Sequence, residues 1–301
     1  MADKKRIARC IVFFLTGVIL TSFFATAFWP FDKVDLSPSQ NTDVSVQVGN
    51  AAPTVAITSL ESSIPLSEGT TYSANIDFEA TDANGVNTLD DSSVSIVFAF
   101  PAGGPYTEQR TGSISDCTPS TLGNVRTYDC DITMQYFDSA GTWDVTVSVS
   151  DTGATPLTSQ DTSTTTVNLL KGILLTAGSP IGFGTVAPGQ NDVTSPPTTV
   201  KNNGNYEGTI DVTAYALYET GGSNIPAANF NAAGSNEANV CAGAGTTTLI
   251  QATQTTVTST NLEKGDGASE NMKWCLDVPS SIVSAAYSTS ISPSQQWTIA
   301  I

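Results

Sequence analysis

The chain contains no histidine. That absence removes Ser-His-Asp and Cys-His catalysis, imidazole general bases and histidine-ligated zinc together. Cations are scarce: 11 Lys and Arg stand against 28 Asp and Glu, a net charge of -17. Lys4, Lys5, Arg6 and Arg9 all precede residue 10, so the remainder is more acidic still. A chain with so few cations has no basic stripe for a phosphate backbone, which argues against nucleic acid as a partner. There is no Gly-rich phosphate loop and no Gly-x-Ser-x-Gly elbow, the marks of nucleotide enzymes and α/β hydrolases. No Asn-x-Ser/Thr acceptor occurs either, so N-glycosylation on that motif is not expected. Beyond the N-terminus, no apolar run is long enough to span a bilayer.

The N-terminus is different. Four cations lead into an apolar stretch from Ile11 to Phe28, closed by Ala25-Thr26-Ala27. Basic, apolar and small-x-small regions in that order form a secretory signal. Residues 1–27 are read as a signal peptide or as an uncleaved N-terminal anchor with its cations inside. In the second case Trp29 is an interfacial residue, and the membrane is met through this segment alone. The rest of the chain is expected outside the cytoplasm, secreted or associated with the cell surface.

Five cysteines are present. Cys10 lies in the signal. The others fall as Cys117 and Cys130, then Cys241 and Cys275, an even number in an exported chain and hence disulfides. Local pairing, Cys117 with Cys130 and Cys241 with Cys275, keeps each bridge inside one domain. A metal-thiolate site would want a Cys-x-x-Cys spacing, which is missing.

Length after the signal fits two domains. Residues 28–42 read as a linker, 43–170 as a first domain and 171–301 as a second. In the first, Ile76, Phe78 and Ala80 alternate with polar residues. So do Tyr128, Cys130, Ile132 and Met134, and Trp143, Val145, Val147 and Val149; Val94, Ile96 and Phe98 alternate with Ser95, Val97 and Ala99, the pattern of a more buried strand. Period two bounded by Gly, Pro, Asn and Asp predicts strands, and strands of this size predict sandwiches. Trp143 and Trp274 fall within such alternation and are read as core. Asp43–Val48 predicts a further strand, either the first of its own sandwich or one that adds to the edge of another subunit. In the second domain, Val200 running into Asn202-Asn203-Gly204 predicts a hairpin. Residues 220–247, rich in Gly, Ala and Asn, predict a long loop, with a weak helical reading over 225–240. The fold class is all-β, two tandem sandwiches.

Phe78-Glu-Ala-Thr-Asp82-Ala-Asn84-Gly85, Leu89-Asp90-Asp91 and Gly141-Thr-Trp143-Asp-Val-Thr-Val-Ser-Val-Ser-Asp151 resemble PKD-like and cadherin-like immunoglobulin domains of archaeal and bacterial surface proteins. Pro188-Gly189 with Val200-Lys-Asn-Asn-Gly-Asn205 resembles immunoglobulin-like surface domains. The resemblance implies an extracellular module without catalysis, and both sandwiches as immunoglobulin-like.

Asp82, Asn84 and Asp151 are candidate calcium ligands, since calcium takes six to eight oxygens and cadherin-like domains gather acids at their ends. The plain alternative is turn chemistry, which uses the same residues. No other cofactor is indicated. Asp90 and Asp91 are a candidate catalytic carboxylate pair by type, but neighbours on a strand point to opposite faces and do not converge. Three functions follow: a structural or adhesive surface module with an unidentified extracellular ligand; a filament or surface-layer subunit that self-assembles by strand addition; and, remotely, a secreted carboxylate hydrolase.

Overall fold

A computed structural model describes residues 45–46, 49–101, 108–291 and 295–301. The signal or anchor segment, Cys10, Trp29, the whole 28–42 linker reading and most of the 43–48 strand reading lie outside the described residues. Asn50–Ile301 forms one compact unit. Among the described residues, no helix is longer than a single 3-10 turn.

The first half holds β1 (Thr54–Leu60), β2 (Ser63–Ile64), β3 (Tyr72–Thr81), β4 (Leu89–Ala99), β5 (Gln109–Ser113), β6 (Cys117–Leu122), β7 (Val125–Met134), β8 (Gly141–Asp151) and β9 (Thr158–Val167). They form two sheets, β1-β3-β7-β6 and β2-β9-β8-β4-β5. With β1 and β2 as the two parts, A and A′, of a split first strand and β5 as C′, these orders are A-B-E-D and A′-G-F-C-C′, the immunoglobulin arrangement. The alternating apolar residues of β3, β4, β7 and β8 face each other across one continuous core. Trp143, Val145, Val147 and Val149 are all completely buried along β8. Phe78 stacks on its cross-strand partner Tyr128 with ring centroids 4.7 Å apart. Such aromatic pairs add to what area burial alone provides. Cys117 faces Cys130 across the β6–β7 hairpin and is bonded to it.

The second half holds β10 (Ile173–Ala177), β11 (Val193–Thr194), β12 (Thr198–Asn202), β13 (Gly208–Thr213), β14 (Leu217–Tyr218), β15 (Asn224–Ile225), β16 (Phe230–Ala233), β17 (Thr247–Thr248), β18 (Thr255–Leu262), β19 (Ser269–Leu276) and β20 (Thr298–Ala300). One sheet runs β10-β12-β19-β16-β17, with β11 also on β19; another runs β18-β13-β20; β14 and β15 form a ribbon. A second core lies between them, around Val200, Ile210, Val212, Phe230 and Trp274. Trp274 faces this core, while Cys275 points to the other side of β19 and is bonded to Cys241. The all-β architecture of two immunoglobulin-like sandwiches expected from the sequence is therefore present.

Two local readings are corrected. The 220–247 segment is not one long loop, and 225–240 holds no helix beyond a 3-10 turn at Ala227–Asn229. It contributes β16, whose Phe230, Ala232 and Ala233 are buried beside β19. Alanine has little strand preference of its own, and the tight space beside Trp274 selects it here. The Asn202–Asn205 turn does not close a hairpin. It carries the chain from one sheet to the other, and its backbone pairs instead with Gly69, Leu170 and Gly172.

Candidate functional site

The sequence-predicted oxygen ligands fall on loops at one end of the first sandwich. Asp82 follows β3, Asn84 sits in the turn after it, and Asp151 closes β8. Asp82 Oδ1 accepts from the Asn84 backbone N–H at 2.7 Å, and the Asp82 carbonyl accepts from Gly85 N at 3.0 Å. Gly85 has φ of 109°, a conformation that suits only glycine. Asn50 and Ala51 bind the two loops together. The Asn50 amide donates to Asp151 Oδ2 at 2.8 Å, and Ala51 N donates to Asn84 Oδ1 at 3.1 Å. The Thr152 N–H donates to the Thr88 carbonyl at 2.7 Å, tying the ends of the same two loops.

Asp151 is 1 % exposed. Burial pushes its carboxyl upward, but N–H groups of Gly153 and Leu157 and the Asn50 amide outweigh that and hold it below the usual carboxylate range. These N–H dipoles favour its ionised form. Asp82 is 6 % exposed, and its Oδ2 has no hydrogen-bond partner. An orphaned buried acceptor costs about 1–3 kcal/mol. Turn chemistry explains Oδ1 of Asp82, and it leaves Oδ2 unexplained. Asn84 Oδ1 and both carboxylate oxygens of Asp151 already accept N–H groups, so Asp82 Oδ2 is the oxygen of these three side chains left without a partner. Asn50 was missed by sequence reading. Its only signal was its place just before the β1 segment, and its contact with Asp151 spans 101 residues.

Asp90 and Asp91 do not form a facing pair. Asp90 Oδ1 accepts from the Ser92 N–H and hydroxyl, whereas Asp91 pairs with Arg126 and accepts from Tyr128 Oη at 2.7 Å. Burial foremost, and then this bond to Asp91, push the Tyr128 phenol far upward, so it stays a donor. Among the described residues, the close grouping of Asp192, Cys241 and Cys275 has both sulfurs spent in a disulfide.

A second polar cluster joins the two sandwiches. Asn205 Nδ2 donates to the carbonyls of Asp138 and Asn168, and Asn205 Oδ1 accepts from Leu170 N at 2.7 Å. Lys264 of the second sandwich reaches the carboxylate of Glu108 and the Ser139 hydroxyl in the first. Asp138, fully buried, pairs with Arg110 and accepts from Gln135 N at 2.8 Å. A Cβ at Gly204 would strike the Leu170 carbonyl and the Gly172 nitrogen, so only glycine permits this close approach.

No protein-family model matches the chain, and no curated protein matches it. Among solved structures it is similar to a marsupial T cell receptor, at 11% identity over 83% of this chain and 99% of that one, with a TM-score of 0.21. It is also similar to a chain described as BspA_C_WT, at 11% identity over 74% of this chain and 89% of that one, with a TM-score of 0.15. Superpositions this distant carry no argument, and the immunoglobulin-like description rests on the strand order of the chain itself.

Proposed function

We propose that the chain is a non-enzymatic extracellular surface protein, a structural or adhesive immunoglobulin-like module. The observation that carries this reading is one local disulfide in each sandwich. Disulfides persist in oxidising compartments, in agreement with the export signal read at the N-terminus. The hydrogen-bonded junction supports a mechanical role, because it couples the sandwiches rather than leaving them on a free tether.

The cation we propose for the end of the first sandwich is calcium. Asp82, Asn84 and Asp151 would hold it, and its charge would offset two buried carboxylates and occupy the orphaned Asp82 Oδ2. Its part is to stiffen the loops that meet a ligand or a neighbouring domain.

The reading is tested by deleting the gene in the producing cell. Attachment or envelope integrity is expected to fall, with both restored by the Asp90→Asn variant as well as by the wild type. An unchanged envelope and unchanged attachment, with loss of a hydrolytic activity that Asp90→Asn fails to restore, would overturn it in favour of a secreted enzyme.

A further inference from the structure

We propose that the cleft between β10 and β20 receives the segment Asp43–Val48 of a second copy as an added strand, joining copies head to tail. The inference goes beyond the surface-module reading and stands on residues that reading does not use. The two sheets of the second sandwich leave a cleft of about 520 Å³ between them, within the usual size of a binding site. Leu175 of β10, Trp297 and Ile299 line it together with Phe183, Leu217 and Phe230; among the described residues no Asp, Glu, Lys or Arg lines it.

Both flanking strands are sheet edges. An edge offers a row of unpaired N–H and C=O groups, and proteins normally blunt it with charge, proline or a cover. Three edges of the first sandwich are blunted: β6 carries Pro119, β5 carries Arg110, and the Ile57 N–H of β1 donates to Asp161 at 2.8 Å. β10 reads Ile-Leu-Leu-Thr-Ala, without charge or proline. Its Leu174 and Leu175 are 48 % and 37 % exposed.

The occupant is written in the same chain. Asp43-Val44-Ser45-Val46-Gln47-Val48 puts three valines on one side of an extended strand and polar groups on the other. Main-chain bonds to the β10 edge would supply affinity, and the valines would enter the cleft. Ser45 and Val46 belong to no strand in this structure, and Val46 is 82 % exposed. From Phe28 to Gly49 the chain has 22 residues, a reach of roughly 75 Å when extended. The charges agree as well. Lys171 precedes β10 and Lys201 pairs across from Leu174. Among the described residues neither lysine has a carboxylate partner; their Nζ atoms lie 4.0 Å and 5.9 Å from the rings of Tyr206 and Tyr136. Asp43 opens the incoming segment. Such a contact is heterologous and propagates into an open chain unless its rotation closes a ring.

The test uses the exported chain from Phe28 onward. Light scattering is expected to show mass rising with concentration, and loss of that rise in Val46→Asp and in Leu175→Asp. Oxidising a mixture of Val46→Cys chains and Leu175→Cys chains should give a disulfide between the two, in excess over either alone. Should Leu175→Asp unfold, a synthetic peptide of residues 40–50 added to the wild type keeps the test, since it should suppress the rise. A wild type that stays monomeric, assembly that ignores Val46→Asp and the peptide, or no excess of the mixed disulfide over those formed by either chain alone would each overturn the proposal. None of these outcomes bears on surface location.

Discussion

The side-chain amide of Asn205 donates to the backbone carbonyl of Asp138, 2.9 Å away in the other sandwich. Its second bond, to the Asn168 carbonyl, and the bond its own oxygen accepts from Leu170 complete its polar capacity in one direction. Asn205 is 5 % exposed, so water cannot easily replace these partners. One residue of an Asn/Gly turn thus clamps the end of the first sandwich to the start of the second.

Replacing Asn205 by alanine leaves two carbonyls and one N–H without their partner. The expected cost is about 1–3 kcal/mol for buried groups left unpaired. Coupling between the sandwiches should fall with it. Calorimetry is expected to resolve two transitions in Asn205→Ala where the parent shows fewer, and a single unchanged transition would contradict the clamp.

Glu108 makes the junction sensitive to acid. Burial raises its carboxyl, but hydrogen bonds from Lys264 and Ser139 outweigh this and leave it below the ordinary glutamate value. A depressed folded-state value means stability that is present above the unfolded value and lost as pH falls through the folded one. The unfolded value is about 4.3, so the junction should weaken only below that. Scattering profiles across this range should change for the parent and be far less pH-dependent for Lys264→Met, in which the carboxylate has lost its partner.

Asp82→Asn separates a cation site from an ordinary turn by the sign of its effect. In chelator, replacing the orphaned carboxylate by a neutral amide, whose oxygen can still accept from Asn84 N, is expected to leave the protein as stable or more stable, since an unpartnered buried carboxylate costs more than an unpartnered buried amide. In calcium, the parent should gain thermal stability and Asp82→Asn should not. Equal melting shifts with calcium in both proteins would remove Asp82 from the site.

The two disulfides should not be equivalent. They close loops of 13 and 34 residues in sequence separation. Chain entropy then gives about 3 and about 4 kcal/mol respectively. Paired Cys→Ala substitutions are expected to cost more at Cys241 and Cys275 than at Cys117 and Cys130. Denaturant titration measures the difference, and the reverse order would show that strand pairing dominates over loop closure.

The first sandwich was legible because its strands are long and one face of each is buried. Period two in β3, β4, β7 and β8 names the residues that fill the core, from Ile76 to Val149. The second was less legible because its strands are short and some are buried on both faces. β19 buries Trp274, Cys275 and Leu276 in succession, which erases alternation, and β16 is half alanine. The loop end of the first sandwich was legible as residue types, Asp82, Asn84 and Asp151, but not in its contacts. What joins it is Asn50, and what leaves Asp82 Oδ2 orphaned is a fold no local pattern records. The junction was invisible for the same reason: Lys264 and Glu108 lie 156 residues apart.

The central claim is tested most directly by protease shaving of intact producing cells, with mass analysis of the released peptides under non-reducing conditions. The account predicts peptides from residues 50–301 in the shaved fraction, with Cys117 linked to Cys130 and Cys241 linked to Cys275. Recovery only from lysed cells, with the four cysteines as free thiols, would contradict it.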